Sequence, residues 1–202
     1  MCKSRLPAPA LLLLLLCTGW GLAVAAPDVS GCAKCHGDNG VSKKPEIPTI
    51  AGMSGPYLEA QMAAYQKAQR PCPKLSDPKL SDTDMCQEAK KLSAAQVKDI
   101  AAHYAGLKFV AATQQVDAQL AAKGKALNSA HCDTCHSAGG SDPGDDAGIL
   151  AGQWQPYLEA TLKDYVSGKR TQPPNMKRWT SGLSGDDIRG LAAFYAGEGS
   201  KK

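Results

Sequence analysis

One five-residue pattern occurs twice, one hundred positions apart, and it constrains this chain more than any other feature. Cys32-Ala33-Lys34-Cys35-His36 returns as Cys132-Asp133-Thr134-Cys135-His136. The likeness runs on. Ile50-Ala51-Gly52 matches Leu150-Ala151-Gly152, and Pro56-Tyr57-Leu58-Glu59-Ala60 matches Pro156-Tyr157-Leu158-Glu159-Ala160 letter for letter. Tyr65 and Arg70 match Tyr165 and Arg170; beyond them Met85 aligns with Met176, Leu92-Ser93 with Leu183-Ser184, and Ala105-Gly106 with Ala196-Gly197. The first copy thus holds a short insertion between Arg70 and Met85. Two long copies make a tandem pair of domains, since a solenoid needs shorter and more numerous units. The expected domains are 27–110 and 111–202, with the boundary near 108–114.

The pattern inside each copy is helical. Pro56 and Pro156 suit the first turn of a helix, where the missing N–H is not needed. Leu58, Met62 and Tyr65 keep helical spacing, as do Leu158, Leu162 and Tyr165. Ser93 with Gln96, and Ser184 with Asp187, read as helix-opening caps. Gly106 and Gly197 are placed to stop those helices. A further helix is expected over Gln114–Leu127, and loops over 37–56 and 137–156. No stretch alternates with period two, so the fold class is all-α.

Residues 1–26 have the layout of an export signal. Lys3 and Arg5 precede the run Leu11–Leu16, and Ala23-Val24-Ala25 offers small residues for cleavage after Ala25 or Ala26. An uncleaved anchor, or a lipid on Cys17, are the other readings of this segment. Cleavage leaves roughly 177 residues and lowers the formal charge from +4 to +2 by removing Lys3 and Arg5. So mild a charge gives no footprint for nucleic acid. The expected location is the periplasm.

Cys-x-x-Cys-His is the attachment sequence of c-type haem. Each thiol adds to a porphyrin vinyl group, the two-residue gap spans the vinyls, and the following imidazole falls beside the iron. A redox dithiol needs no histidine next to it, and zinc needs four ligands gathered in one place. Two haems c are therefore expected, held by Cys32 and Cys35 and by Cys132 and Cys135. His36 and His136 are the expected axial ligands. The second copy has one methionine, Met176, which makes it the sixth ligand there by elimination, and its partner in the first copy is Met85. Both are placed on loops crossing the haem face. Met53 and Met62 read as loop or core residues, His103 as a packed helix residue and His131 as exposed. Cys72 and Cys86 flank most of the insertion, and in an oxidising compartment they are expected to form a disulfide.

At these residues the chain resembles the tandem diheme cytochromes c, each half a class I cytochrome domain. The resemblance implies a close helix crossing at Gly124, with Phe194 and Tyr195 as partners. Two branches of the family compete. Ile149 to Leu158, with the acidic stretch before it, is similar to the cytochrome subunit of flavocytochrome c sulfide dehydrogenase. Ala151 to Ser184 also fits the subclass-four diheme cytochromes that donate electrons to terminal oxidases. The first branch, favoured by the stretch around Trp154, implies a FAD-containing flavoprotein partner that oxidises sulfide. No catalytic residue is expected in the chain itself; a diheme peroxidase or thiosulfate dehydrogenase is the reading from a different class. Only 11 residues are aromatic (3 Trp, 6 Tyr, 2 Phe). In domains this small, two porphyrins would fill the core where aromatic side chains are scarce.

Overall fold

The computed structural model describes residues 26–145 and 147–199. The expected export segment, apart from Ala26, lies outside the described residues. Within them the fold is helical, with no strand. The first repeat comprises α1 (Ser30–His36), α2 (Gly55–Gln66), α3 (Met85–Lys90) and α4 (Ala94–Ala105). The second comprises α5 (Ala118–Leu127), the single turn α6 (Ser137–Gly140), α7 (Gln155–Val166), α8 (Pro174–Thr180) and α9 (Gly185–Glu198). A π-helical turn, Asn128–Cys132, carries α5 into the second cysteine motif.

Local chemistry sets these boundaries. Ser54 accepts from the Tyr57 N–H at the start of α2, and Asp84 from the Gln87 N–H at the start of α3. Ser93 with Gln96, and Ser184 with Asp187, form complete capping boxes on α4 and α9. Each box satisfies backbone N–H groups that the helix leaves without partners. Three expectations change. α5 starts at Ala118, where Asp117 accepts from the Gln119 and Leu120 N–H groups. The Gln114 amide is used instead to bond Gln153 O (2.7 Å) and the Gln155 N–H (2.9 Å). Gly197 lies inside α9, which continues to Glu198. The two methionines lie on short helices rather than loops: Met85 opens α3 behind its Asp84 cap, and Met176 sits in α8 behind Pro173 and Pro174.

Each repeat has one apolar core. In the first, Met53 and Leu58 pack against Ile100, Ala101 and Tyr104 of α4. In the second, Leu158 packs against Leu191, Phe194 and Tyr195 of α9. There α5 crosses α9 so closely that a methyl group on Gly124 would overlap the Gly190 carbonyl. The crossing thus centres on Gly190 and Leu191, not on Phe194 and Tyr195, because two facing glycines let the backbones touch. Tyr195 instead donates its hydroxyl to Asn128 Oδ1 at 2.7 Å.

The repeats are joined by buried polar contacts. Gln153 is fully buried; its Oε1 accepts from the Thr49 N–H (3.0 Å) and its Nε2 donates to Thr49 O (2.7 Å). Trp154 Nε1 donates to Ser42 O at 3.0 Å, and the Tyr157 N–H to Pro45 O at 3.1 Å. This clamp fixes the two cysteine motifs relative to each other.

Candidate haem sites

The first site is built on α1, which carries Cys32, Cys35 and His36 on one turn and a half. Gly37, with φ of 81°, turns the chain out of the helix. His36 is buried, and its Nδ1–H donates to Pro48 O at 2.8 Å. That bond fixes the tautomer and leaves the Nε2 lone pair free for a metal. Burial holds the His36 imidazole below its ordinary pKa, the bond to Pro48 works against this, and the Arg70 charge adds to it. Burial thus favours the neutral ring that an iron ligand requires.

A cavity of 390 Å³ opens in front of it, lined by Cys32, Cys35, His36, Met85, Arg70 and Tyr104 among others. Met53 and Met62 line it too, so the cavity alone does not choose between the three methionines. Tyr157, Thr161 and Asp164 of the second repeat close its far side. The motif thiols are held high: burial raises Cys32, Cys35 and Cys132 above the ordinary range. That is the opposite of the electropositive setting that favours a reactive dithiol.

The second site repeats the layout with different details. Cys132 ends the π-helical turn, and His136 is followed by left-handed Ala138 and Gly139. His136 Nδ1 is buried with no hydrogen-bond partner among the described residues. Burial lowers its pKa, opposed by Asp145. Cys135 is exposed, and Asn175 Nδ2 on α8 lies 3.9 Å from its sulfur, which brings the Met176 helix to the motif. His131 is exposed, and His103 packs edge-on to Tyr104 on α4. Cys72 and Cys86 are bonded, with Cα atoms 5.8 Å apart. The bridge ties the insertion to the residue after Met85.

Between the sites lies a cluster to which the sequence reading gave no role. Arg70 and Arg170 are buried, with 8% and 4% exposure. Each guanidinium lies over its own tyrosine, Tyr65 at 4.6 Å and Tyr165 at 4.4 Å. Both donate to one oxygen, Gln61 Oε1, at 3.0 and 2.6 Å, and Arg70 also donates to the Tyr157 hydroxyl at 3.0 Å. No carboxylate pairs with either among the described residues. Burial pushes the Tyr157 phenol up, but the two guanidiniums outweigh it and bring it down to about 8. Two buried cations without a counter-ion are costly. The site therefore suits an anionic group, and the two carboxylate side chains of a haem are such groups. With the thiols, the oriented imidazole and the apolar cavity, the residues fit haem c.

Two helical units, each with a Cys-x-x-Cys-His motif and a short methionine-bearing helix, the first beside a cavity, define a tandem class I cytochrome c. The comparisons agree. Residues 25–108 match the family cytochrome c, and residues 119–194 match cytochrome c oxidase, cbb3-type, subunit III. A thiosulfate dehydrogenase electron acceptor from Stutzerimonas stutzeri (strain A1501) is 30% identical over 184 residues, 88% of this chain and 83% of that protein. A cytochrome c4 from Azotobacter vinelandii is 30% identical over 209 residues, covering 93% and 98%. The solved structure of cytochrome c4 from Pseudomonas stutzeri is similar with a TM-score of 0.68 and 26% identity, over 84% of this chain and 94% of that one. A thiosulfate dehydrogenase from Marichromatium purpuratum scores 0.65 at 29% identity, over 82% of this chain but 36% of its own. The chain belongs to the diheme class I cytochromes c of the c4 subclass. It binds two haems c covalently and transfers electrons. Among the described residues no helix is long and apolar enough to cross a membrane.

Proposed function

We propose that this chain is an exported, periplasmic electron acceptor for a sulfur-compound dehydrogenase, and that it passes the electrons on singly to a terminal oxidase. The observation that carries the reading is the likeness to thiosulfate dehydrogenase electron acceptors along most of the chain. Bound at these residues, each haem would supply an iron for one-electron transfer. The protein's own work is to hold, orient and shield. Cys32, Cys35, Cys132 and Cys135 anchor the porphyrins. His36 and Met85 are the ligand pair of the first site, and His136 and Met176 of the second. Arg70 and Arg170 hold the carboxylates, and Gln153 fixes the spacing of the two sites. The soft methionine sulfur favours ferrous iron and raises the potential.

A flavoprotein sulfide dehydrogenase is the second reading, carried by the likeness of Ile149 to Leu158. Its weight is reduced because Gln153, Trp154 and Tyr157 are used to bind the first repeat. The test is to mix the purified haem-loaded protein with thiosulfate and a thiosulfate dehydrogenase, and separately with sulfide and a FAD-containing sulfide dehydrogenase. Fast reduction in the first mixture supports the proposal. Fast reduction only in the second transfers it to the flavoprotein, and neither rejects both. Met85→His and Met176→His should each remove about half of the ferric Met–iron absorption band at the red end of the spectrum. A variant that keeps the full band names a residue that is not a ligand.

A further inference from the structure

We propose that the second repeat's haem edge, formed by His131, Cys135, Lys177, Arg178 and Trp179, docks the acidic face of a redox protein, and that the first repeat's edge does not. The inference rests on the electron-transfer reading and adds which end of the molecule meets a partner of which charge.

The two ligand helices occupy the same place in the two repeats but present opposite surfaces. With Met85 aligned on Met176, Asp82, Asp84 and Glu88 of the first repeat correspond to Pro173, Asn175 and Trp179 of the second. Cys86 and Gln87 correspond to Lys177 and Arg178. Every acidic group of α3 and its lead-in is thus lost in the second copy; Lys177, Arg178 and a tryptophan appear, while Lys90 and Lys91 give way to Ser181 and Gly182.

The geometry makes this a continuous surface. Trp179 is 42% exposed, one of two large apolar side chains left in solvent among the described residues. Its ring lies flat on His131, with centroids 4.4 Å apart and planes at 17°. The Arg178 guanidinium sits over the same ring at 5.0 Å. Lys177 and Cys135 are exposed beside them. The one acid here, Asp133, accepts from Asn128 Nδ2 at 3.4 Å. Electron tunnelling falls steeply with distance, so a partner gains by docking where a haem-bearing cysteine reaches the surface, as Cys135 does and half-buried Cys35 does less. An arginine stacked on an exposed tryptophan is the composition of a binding hot spot. The cations add attraction for an acidic partner.

The first edge is unsuited to that partner. Asp82 is exposed, Asp84 caps α3, and Asp28 stands in solvent near the motif. Glu88 accepts from Lys91 and Thr83, both at 2.6 Å. Lys34, Lys90 and Lys91 are exposed among them, so this edge mixes carboxylates with cations and has no exposed aromatic ring.

The test uses the haem-loaded full chain and a reduced plant-type ferredoxin, a strongly acidic protein of about −400 mV, in anaerobic stopped flow. The variants are Lys177→Glu with Arg178→Glu, Trp179→Ala, and Asp82→Lys. A small neutral reduced flavin serves as the reference donor. The double charge reversal is expected to slow reduction by ferredoxin about tenfold at low ionic strength and to flatten its salt dependence. Trp179→Ala should slow it several-fold at every salt concentration. Asp82→Lys should change it by less than about twofold. The neutral flavin should reduce all variants equally. Unchanged ferredoxin rates in the double variant overturn the proposal. So does equal slowing with the flavin, which would place the effect at the haem, or a change as large in Asp82→Lys. The Soret spectrum of the starting protein is read first. Absence of haem there would sink the electron-transfer reading itself, separately from the docking surface.

Discussion

Helix α9 of the second repeat buries eight of its residues, whereas its counterpart α4 in the first buries four. The reason is a third layer. α5 packs across α9 in the second repeat, and among the described residues no helix crosses α4 in that way. The described part of the first repeat is tied instead by the Cys72–Cys86 bridge and the contact with the second repeat. The same haem-binding letters are thus supported in two ways, one by helix packing and one by a covalent tie plus a neighbour. The difference teaches that the motif demands a short helix and a ligand opposite it, and leaves the rest of the scaffold free to diverge.

That contrast can be broken at either end. The largest effect is expected at Gly124, because any side chain there meets backbone that cannot swing aside. Gly124→Ala should destabilise the second domain by on the order of 3 kcal/mol or more and leave the first near its original midpoint. Thermal unfolding followed at each haem would show it, and a small shift shared by both domains would mean that α5 does not hold the second one. The next effect should fall on the other domain. Cys72→Ala with Cys86→Ala opens a loop closed across a sequence separation of 14 and should cost the first domain about 3 kcal/mol. Because Cys86 follows Met85 directly, the first haem's Met–iron band should weaken as well. A full band at unchanged potential would show that the bridge does not fix the ligand helix.

A third effect should appear between the domains. The first repeat has Met53 where the second has Gln153, so Gln153→Met makes the copies alike and removes the two Gln153–Thr49 bonds of the clamp. It leaves the buried Thr49 N–H and carbonyl without partners, a cost of about 2 kcal/mol. In calorimetry the two domains should then melt as separate transitions. A single transition would show that the remaining contacts, Trp154 to Ser42, Tyr157 to Pro45 and the Arg70–Gln61–Arg170 cluster, are enough to couple them.

The haem sites and the helical class were legible because their signals are local. Cys-x-x-Cys-His needs only five residues, and a capping box four. The repeat offset also paired Met85 with Met176 without any knowledge of the fold. The cluster between the sites was not legible, because it is made of residues 87 and 109 positions apart. A signal for it existed in the exact repetition of Tyr57, Tyr65 and Arg70 as Tyr157, Tyr165 and Arg170, although residues between them differ. The partners of Gly124 were misplaced by one turn, since a resemblance gives the crossing but not its contact point. The stretch around Trp154 had pointed to a flavoprotein. In the fold its indole and the Gln153 amide are bound to Ser42 and Thr49, so packing within the chain accounts for those letters.

The smallest effect separates the two capping boxes. In the first repeat the Ser93 N–H and hydroxyl donate to neutral Gln96 (3.0 and 2.9 Å), and in the second those of Ser184 donate to the Asp187 carboxylate (2.9 and 2.7 Å). The bonds from Ser184 hold the Asp187 carboxyl below its ordinary range. A carboxyl with a depressed folded-state pKa contributes stability that is complete above its unfolded value of about 3.9 and is lost as pH falls through the folded value. The charge also favours the α9 N-terminus. Asp187→Gln, which copies the first repeat, should therefore lower the second domain's stability at pH 7 by no more than a few tenths of a kcal/mol, since the group is exposed and screened. The gap between the two proteins should close below about pH 4, while the first domain is unaffected. A gap independent of pH would mean that the carboxylate acts only through its shape, and that the two boxes are equivalent.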